Sequence, residues 1–147
     1  MKNETKLSSS LEDYLETILL LEQKNRVARV KDIAKKMNVT MPSVTGAMRN
    51  LREHGLIDYE KNSYINLTAE GKKIAECILN RHHVLMRFFK DCLKLEGDWV
   101  ENQACRLEHA INHETTVRIS KLTEWIDKTV FKEKKMTESE WLEMLRQ

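Results

Sequence analysis

Three residues near position 105 carry side chains that commonly bind transition metals. Cys105, Glu108 and His109 stand at positions i, i+3 and i+4, so on a helix a thiolate, a carboxylate and an imidazole point towards one place. This donor set suits Fe(II), Mn(II), Co(II) or Zn(II). The spacing alone fits equally well a buried cysteine on an apolar stripe beside an exposed Glu–His pair.

Further candidate ligands lie outside this segment. His82 and His83 supply two imidazoles on a predicted helix that precedes it. Asp13 and Glu16 are three residues apart, which places both carboxylates on one face of an N-terminal helix. Paired acids on a helix are most often solvated, so this spacing by itself does not indicate a metal site.

The composition indicates a helix-rich soluble protein. Of 147 residues, 33% are charged and 41% hydrophobic, with one proline and four glycines. No apolar run approaches the roughly 20 residues of a membrane span, and no signal segment opens the chain. Three cysteines without a CxxC pair favour reduced thiols over a disulfide framework. We therefore expect a cytoplasmic protein without a membrane partner.

Three helices are predicted at the start of the chain. Ser9 to Glu12 has the spacing of a capping box, and helical periodicity continues from there to about Gln23. A second apolar stripe covers 30–37. Pro42 in a first turn and Gly55 at a left-handed stop predict the third helix. The last two helices, joined by a tight turn, are typical of a helix-turn-helix.

Two β-prone runs, 56–59 and 64–68, flank a turn at 60–63 and predict the hairpin of a wing. Helical patterns follow over 69–94, 99–112 and 115–127, and a capping box at Thr137 to Glu140 predicts a short tail helix that docks through Trp141. The fold class is therefore mainly α. We expect a winged helix-turn-helix DNA-binding domain over 1–73 and an all-α metal-binding and dimerisation domain with a tail helix over 74–147.

Positive charge is concentrated in the predicted DNA-binding half. Residues 24–52 contain eight Lys or Arg against the single acid Asp32, whereas residues 74–147 carry 12 basic and 13 acidic side chains. Such a field favours a nucleic-acid partner. The predicted DNA-binding residues are Thr40, Ser43 and Thr45 on base edges, Pro42 on thymine methyl groups, and Lys35, Lys36, Arg49 and Arg52 on phosphates.

The chain resembles the diphtheria toxin repressor family of metal-dependent regulators, and within it the short manganese-regulator branch. The resemblance covers about residues 9–127. It rests on five blocks in matching order: Leu11 to Glu16, Val30 to Ala34 with Met41 to Thr45, Leu67 to Gly71, Arg81-His82, and Cys105 to His109. About 20 residues follow Asp127, so the additional SH3-like domain of longer relatives is not expected.

The resemblance implies a homodimer with metal sites between the DNA-binding domain and the dimerisation helices. By position, the implied ligands are Asp13, Glu16, His82, Cys105, Glu108 and His109. Asp13 matches the manganese branch. Cys105 matches the iron branch, whereas the manganese branch usually has Glu at this position. Met86 and Glu101 depart from the ancillary site of the iron branch, so that site cannot be transferred unchanged.

We therefore expect a transcriptional repressor and not an enzyme, because no general base or substrate cleft is evident. Mn2+ or Fe2+ would act as co-repressor and fix the homodimer on a palindromic double-stranded operator to control metal-uptake genes. Zn2+ and Co2+ are expected to bind in vitro. The alternative is a metal-free winged-helix regulator that senses an organic ligand or thiol oxidation.

Overall fold

The computed structural model describes residues 7–60 and 64–147 and divides the chain into two compact units, Met1–Leu79 and Asn80–Gln147. Helices dominate both units, and the N-terminal unit contains a two-stranded hairpin after the helix-turn-helix. The predicted mainly α fold with a winged helix-turn-helix is confirmed. Among the described residues, no helix is long and apolar enough to cross a membrane.

The N-terminal unit begins with three helices: α1 (Ser9–Asn25), α2 (Val30–Met37) and α3 (Met41–Glu53). The capping box predicted at Ser9 is wrong, because the N-cap is Ser8, whose hydroxyl accepts the hydrogen bond from the Leu11 amide at 3.3 Å. Thr40 caps α3, whose first turn contains Pro42 as predicted. Gly55 follows α3 with a φ of 70°, a left-handed conformation that favours glycine.

The hairpin consists of β1 (Ile57–Tyr59) and β2 (Ile65–Leu67), which pair antiparallel with Ile57 opposite Leu67. Of the predicted turn, residues 61–63 lie outside the described part of the chain. The two strands and the three helices enclose one apolar core. Its fully buried members include Leu15, Ile18, Ile33, Val44, Met48, Leu51 and Ile65.

Four helices complete the described chain: α4 (Ala69–Arg87), α5 (Asp98–Glu108), α6 (His113–Ile126) and α7 (Glu138–Arg146). The helix predicted as far as residue 94 changes at Phe88–Cys92 into a π-helical turn, in which the Leu93 amide donates to the Phe88 carbonyl at 3.1 Å. A second π-helical segment, Asp127–Lys132, follows α6. The predicted end of α5 at Asn112 is wrong, because Asn112 caps α6 instead.

The second unit has its own core, in which Leu85, Phe89, Val100 and Ala104 are buried together. Its tail helix α7 starts with the predicted capping box, formed by Thr137 and Glu140. The Trp141 indole donates a hydrogen bond to the Cys92 carbonyl at 2.5 Å and meets the Phe131 ring edge to face at 5.8 Å between centroids. The prediction that the tail docks through Trp141 is confirmed.

Candidate metal centre

Three candidate ligands of the C-terminal unit lie together. Ligand atoms of His82, Cys105 and Glu108 are all within 4.8 Å of one another. His82 Nδ1 is 2.7 Å from Glu108 Oε2 and 3.7 Å from Cys105 Sγ. Ligand bonds to these metals are about 2.0–2.3 Å long, so two ligands of one ion lie at most about 4.6 Å apart. The two measured separations satisfy that limit.

Glu108 is fully buried, and this burial makes the cluster unusual. Its Oε2 contacts His82, whereas no hydrogen-bond partner among the described residues reaches its Oε1. His109 Nε2 lies 3.6 Å from this Oε1. A buried carboxylate oxygen without a hydrogen bond is costly unless a cation satisfies it. The imidazole of His82, the thiol of Cys105 and the carboxylate of Glu108 together form a donor set that fits a divalent transition metal.

The packing of α5 against the core sets this geometry. Val100 and Ala104 are buried on the apolar side of α5, and Cys105 and Glu108 follow on the turns that face His82 of α4. Arg81, next to His82, donates through Nη1 to the Ile111 carbonyl at 3.2 Å. This bond attaches the segment that follows α5 to helix α4, beside the ligand cluster.

The remaining predicted ligands have distinct surroundings. His109 is the C-terminal cap of α5 and its side chain is 8% exposed. Asp13 and Glu16 lie on α1 of the N-terminal unit, one helical turn apart and both partly buried. His83, the second candidate imidazole, and Glu101, which departs from the iron branch, are exposed. Burial therefore separates His82 from its neighbour His83, a distinction that residue types and spacing alone did not make.

The predicted DNA-binding residues follow the helix-turn-helix. Lys35 and Lys36 lie in the last turn of α2, and both are exposed together with Pro42, Arg49 and most of the first turn of α3. The Thr40 and Ser43 hydroxyl groups are 2.9 Å apart. At Gly46 an added Cβ would meet nothing within 4 Å, so this face of α3 is open.

Two of these residues also make hydrogen bonds within the unit itself. The Thr45 hydroxyl donates to the Met41 carbonyl at 3.0 Å, one turn back along α3. Arg52 Nη1 donates to the Tyr59 carbonyl at 3.3 Å and thereby joins α3 to β1. Both contacts depend on the tertiary fold or on rotamer choice, and the sequence pattern gave no signal for them.

A winged helix-turn-helix followed by a helical unit that gathers an imidazole, a thiol and a buried carboxylate defines a class: DNA-binding regulators that respond to a metal ion. Comparison with known families supports this class. Residues 6–64 match the model of the iron-dependent repressor N-terminal DNA-binding domain, and residues 68–135 match that of the iron-dependent repressor metal-binding and dimerisation domain.

Individual proteins give the same result. The chain is 34% identical over 114 residues to an uncharacterised HTH-type transcriptional regulator of Methanocaldococcus jannaschii, covering 77% of this chain and 91% of that protein. It superposes on the manganese regulator SloR with a TM-score of 0.70 at 27% identity, covering 78% of this chain and 54% of SloR. A manganese-dependent transcriptional repressor in complex with manganese superposes with a TM-score of 0.71 at 27% identity, covering 78% of this chain and 53% of that protein.

The chain belongs to the iron-dependent repressor family, which confirms the resemblance to the diphtheria toxin repressor family. It is a metal-dependent transcriptional repressor, built from a DNA-binding domain and a metal-binding and dimerisation domain. The chain spans about half the length of the two solved structures. The alternative of a metal-free regulator is not favoured, because the match includes the metal-binding domain.

Proposed function

We propose that Mn2+ or Fe2+ is the co-repressor and that its ligands are the His82–Cys105–Glu108 cluster, His109, and Asp13 and Glu16 of α1. The observation that carries the proposal is the buried Glu108, with one oxygen 2.7 Å from His82 and the other without a hydrogen bond among the described residues. The cation would neutralise this carboxylate. The names of the matched proteins and families support both manganese and iron.

The proposed mechanism is a selection of one protein conformation. Because the proposed ligands belong to both domains, an ion would bind tightly only to conformations in which the two ligand sets reach it. In the homodimer those conformations would present both α3 helices to successive major grooves of a palindromic operator. Such binding would repress metal-uptake genes when the ion is abundant.

The homodimer proposal is supported by apolar surface in the second unit. Trp99, Leu122 and Trp125 are 51%, 46% and 58% exposed, although large apolar side chains are normally covered. The family model matched by this unit is a dimerisation domain. We therefore propose that a second copy of the chain covers part of this surface.

A DNA-binding titration tests the proposed co-repressor. A duplex selected from a random library by the manganese-loaded protein is titrated under anaerobic, reducing conditions with Mn(II), Fe(II), Zn(II) or a chelator. We expect tight binding only with metal. His82→Ala should require a higher metal concentration, whereas His83→Ala, its exposed neighbour, should match the wild type. Equal affinity of chelated and metal-loaded wild-type protein would disprove the co-repressor role.

A further inference from the structure

The wing strand β2 is attached to the segment that ends α1. Glu22, in the last turns of α1, accepts a hydrogen bond through Oε1 from the Leu67 amide at 2.9 Å, although the two residues are 45 positions apart. Three residues after α1, the Ala28 carbonyl accepts from the Ile65 amide at 2.9 Å, as in an antiparallel bridge. The chain after α1 thus pairs with the wing at its second strand.

A third contact closes this junction on the solvent side. Arg29 donates through Nη2 to the Tyr64 hydroxyl at 3.3 Å, and its guanidinium carbon lies 5.1 Å from the centroid of the Tyr64 ring. The Tyr64 side chain raises the pKa of Arg29, chiefly through this hydrogen bond. Both residues are exposed, so the pair contributes little burial, and Glu22 supplies the partly buried contact of the junction.

The wing needs this support. Each of its strands has three residues, and an isolated two-stranded hairpin is only marginally stable in water. A carboxylate that accepts from a backbone amide forms a charge-assisted bond, stronger than a bond between neutral groups. Besides the pairing with β1 and the buried Ile65, the Glu22 carboxylate of α1 and the Ala28 carbonyl after it therefore fix the position of β2.

We propose that Glu22 is a positioning residue that makes the wing move with α1, so that metal binding orders the wing and its approach to DNA. The inference rests on the proposed function, because it takes Asp13 and Glu16 of α1 as metal ligands. Metal bound near the start of this 17-residue helix would act on the wing through the Glu22 carboxylate at its other end. No contact of the wing with the metal is required.

Amide hydrogen exchange of the full-length wild-type protein tests the coupling without any mutation. Exchange at single residues is followed by NMR with chelator and with saturating Mn(II), in the absence of DNA. We expect manganese to slow exchange of the Leu67 and Ile65 amides together with the buried amides of α1. If manganese protects α1 but leaves Leu67 and Ile65 unchanged, the wing does not follow α1 and the proposal is wrong.

Variants of Glu22 test the consequence for DNA. Glu22→Ala should weaken binding of the selected duplex at saturating Mn(II) on the order of tenfold, because a charged hydrogen-bond acceptor is lost. Its affinity for Mn(II) should stay within about twofold of wild type, since the ligands remain. Glu22→Gln keeps an oxygen acceptor and should recover most of the loss. Gln23→Ala, an exposed neighbour on α1, is the matched control.

The outcomes separate this inference from the proposed function. If the wild type binds the duplex equally with Mn(II) and with chelator, the co-repressor role fails, and that result does not involve Glu22. If wild-type binding depends on metal but Glu22→Ala binds DNA normally, the inference alone fails. It also fails if Glu22→Ala loses Mn(II) affinity, melting temperature and DNA affinity in parallel, because that pattern indicates a purely structural residue.

Discussion

The thiol of Cys105 is the soft donor of a cluster whose other ligand atoms are nitrogen and oxygen. A thiolate favours ions late in the Irving–Williams order, whereas carboxylates also accept Mn(II). We expect affinity to decrease from Zn(II) or Co(II) through Fe(II) to Mn(II). Cys105→Glu should retain Mn(II) binding and weaken the other three by at least about tenfold, as loss of even an outer-shell partner commonly does. Isothermal titration measures these constants.

Cys105→Ala is the companion variant, because it removes a ligand without replacing it. All four ions should then bind more weakly than to the wild type. Cys77→Ser, which changes an exposed thiol outside the cluster, should leave every affinity unaltered. Unchanged affinities in Cys105→Ala would show that this thiol only packs against the core.

The three thiols should also differ in reactivity. Cys77 is exposed, Cys105 is partly buried in the cluster, and Cys92 is buried, which raises the pKa of its thiol. Since the thiolate is the reactive form, a thiol reagent should modify Cys77 first and Cys92 last. Mn(II) or Zn(II) should slow modification of Cys105 alone, as followed by mass spectrometry of peptides. A metal effect on Cys77 instead would contradict the proposed ligand set.

Arg49 and Arg52 are both predicted to meet phosphates, but the structure separates their roles. Arg49→Ala should weaken binding to every duplex alike and reduce the slope of log K against log salt by about 1. Arg52→Ala should weaken DNA binding in the same way. It should also lower the free energy of unfolding by about 0.5–1.5 kcal/mol, because Arg52 donates a hydrogen bond to the Tyr59 carbonyl. Fluorescence anisotropy and thermal melting measure the two effects. A loss confined to one base pair would indicate base readout by Arg49.

At the scale of elements, the tail helix α7 should respond to acid. The Thr137 backbone amide, and then its hydroxyl, lower the pKa of Glu140 by donating hydrogen bonds to it. A carboxylate with a lowered pKa stabilises the folded state fully above its ordinary pKa, and the contribution is lost as the pH falls through the lowered value. The cap of α7 should therefore persist to a pH below the usual titration range of glutamate.

Chemical shifts of Thr137 and Glu140 during an acid titration measure that midpoint. Thr137→Ala removes the hydroxyl donor, so the Glu140 midpoint should move up towards its ordinary value, and α7 should detach at a higher pH. Identical midpoints in the wild type and Thr137→Ala would show that the hydroxyl does not contribute.

The sequence predicted elements well where local chemistry determines them. Val30–Met37 agrees with its apolar stripe, and the first turn of α3 agrees with Thr40 and Pro42. Three consecutive serines, Ser8 to Ser10, made the start of α1 ambiguous, and the cap lies at Ser8. The π-helical turn at Phe88–Cys92 was not predictable, because it keeps the same apolar residues in a slightly wider helix.

The candidate site was predictable in its residue types and not in its geometry. The i, i+3, i+4 spacing and the family resemblance selected Cys105, Glu108 and His109, and the resemblance added His82. That Glu108 is fully buried and contacts His82 across 26 residues depends on how α4 and α5 pack. The Glu22–Leu67 bond left no sequence signal, because a glutamate near the end of a helix is ordinarily solvated.

At the scale of the whole molecule, the exposed tryptophans lead to a prediction about assembly. If a second copy covers them, the wild type should sediment as a dimer. Replacing both Trp99 and Trp125 by Ser should raise the dimer dissociation constant and weaken binding of a two-half-site duplex more than of a single half-site. Analytical ultracentrifugation and anisotropy measure both. A variant that remains fully dimeric would place the interface elsewhere in the second unit.

The aromatic residues are also divided between the two units in a way that makes each optically distinct. All three tyrosines, Tyr14, Tyr59 and Tyr64, belong to the N-terminal unit, and all three tryptophans belong to the C-terminal unit. Light absorbed only by indole would therefore report on the metal-binding and dimerisation half alone. The hydrogen-bonded Trp141 should have a different emission maximum from the exposed Trp99 and Trp125. Intrinsic tryptophan fluorescence should therefore report both release of the tail helix and association of subunits, without an added label.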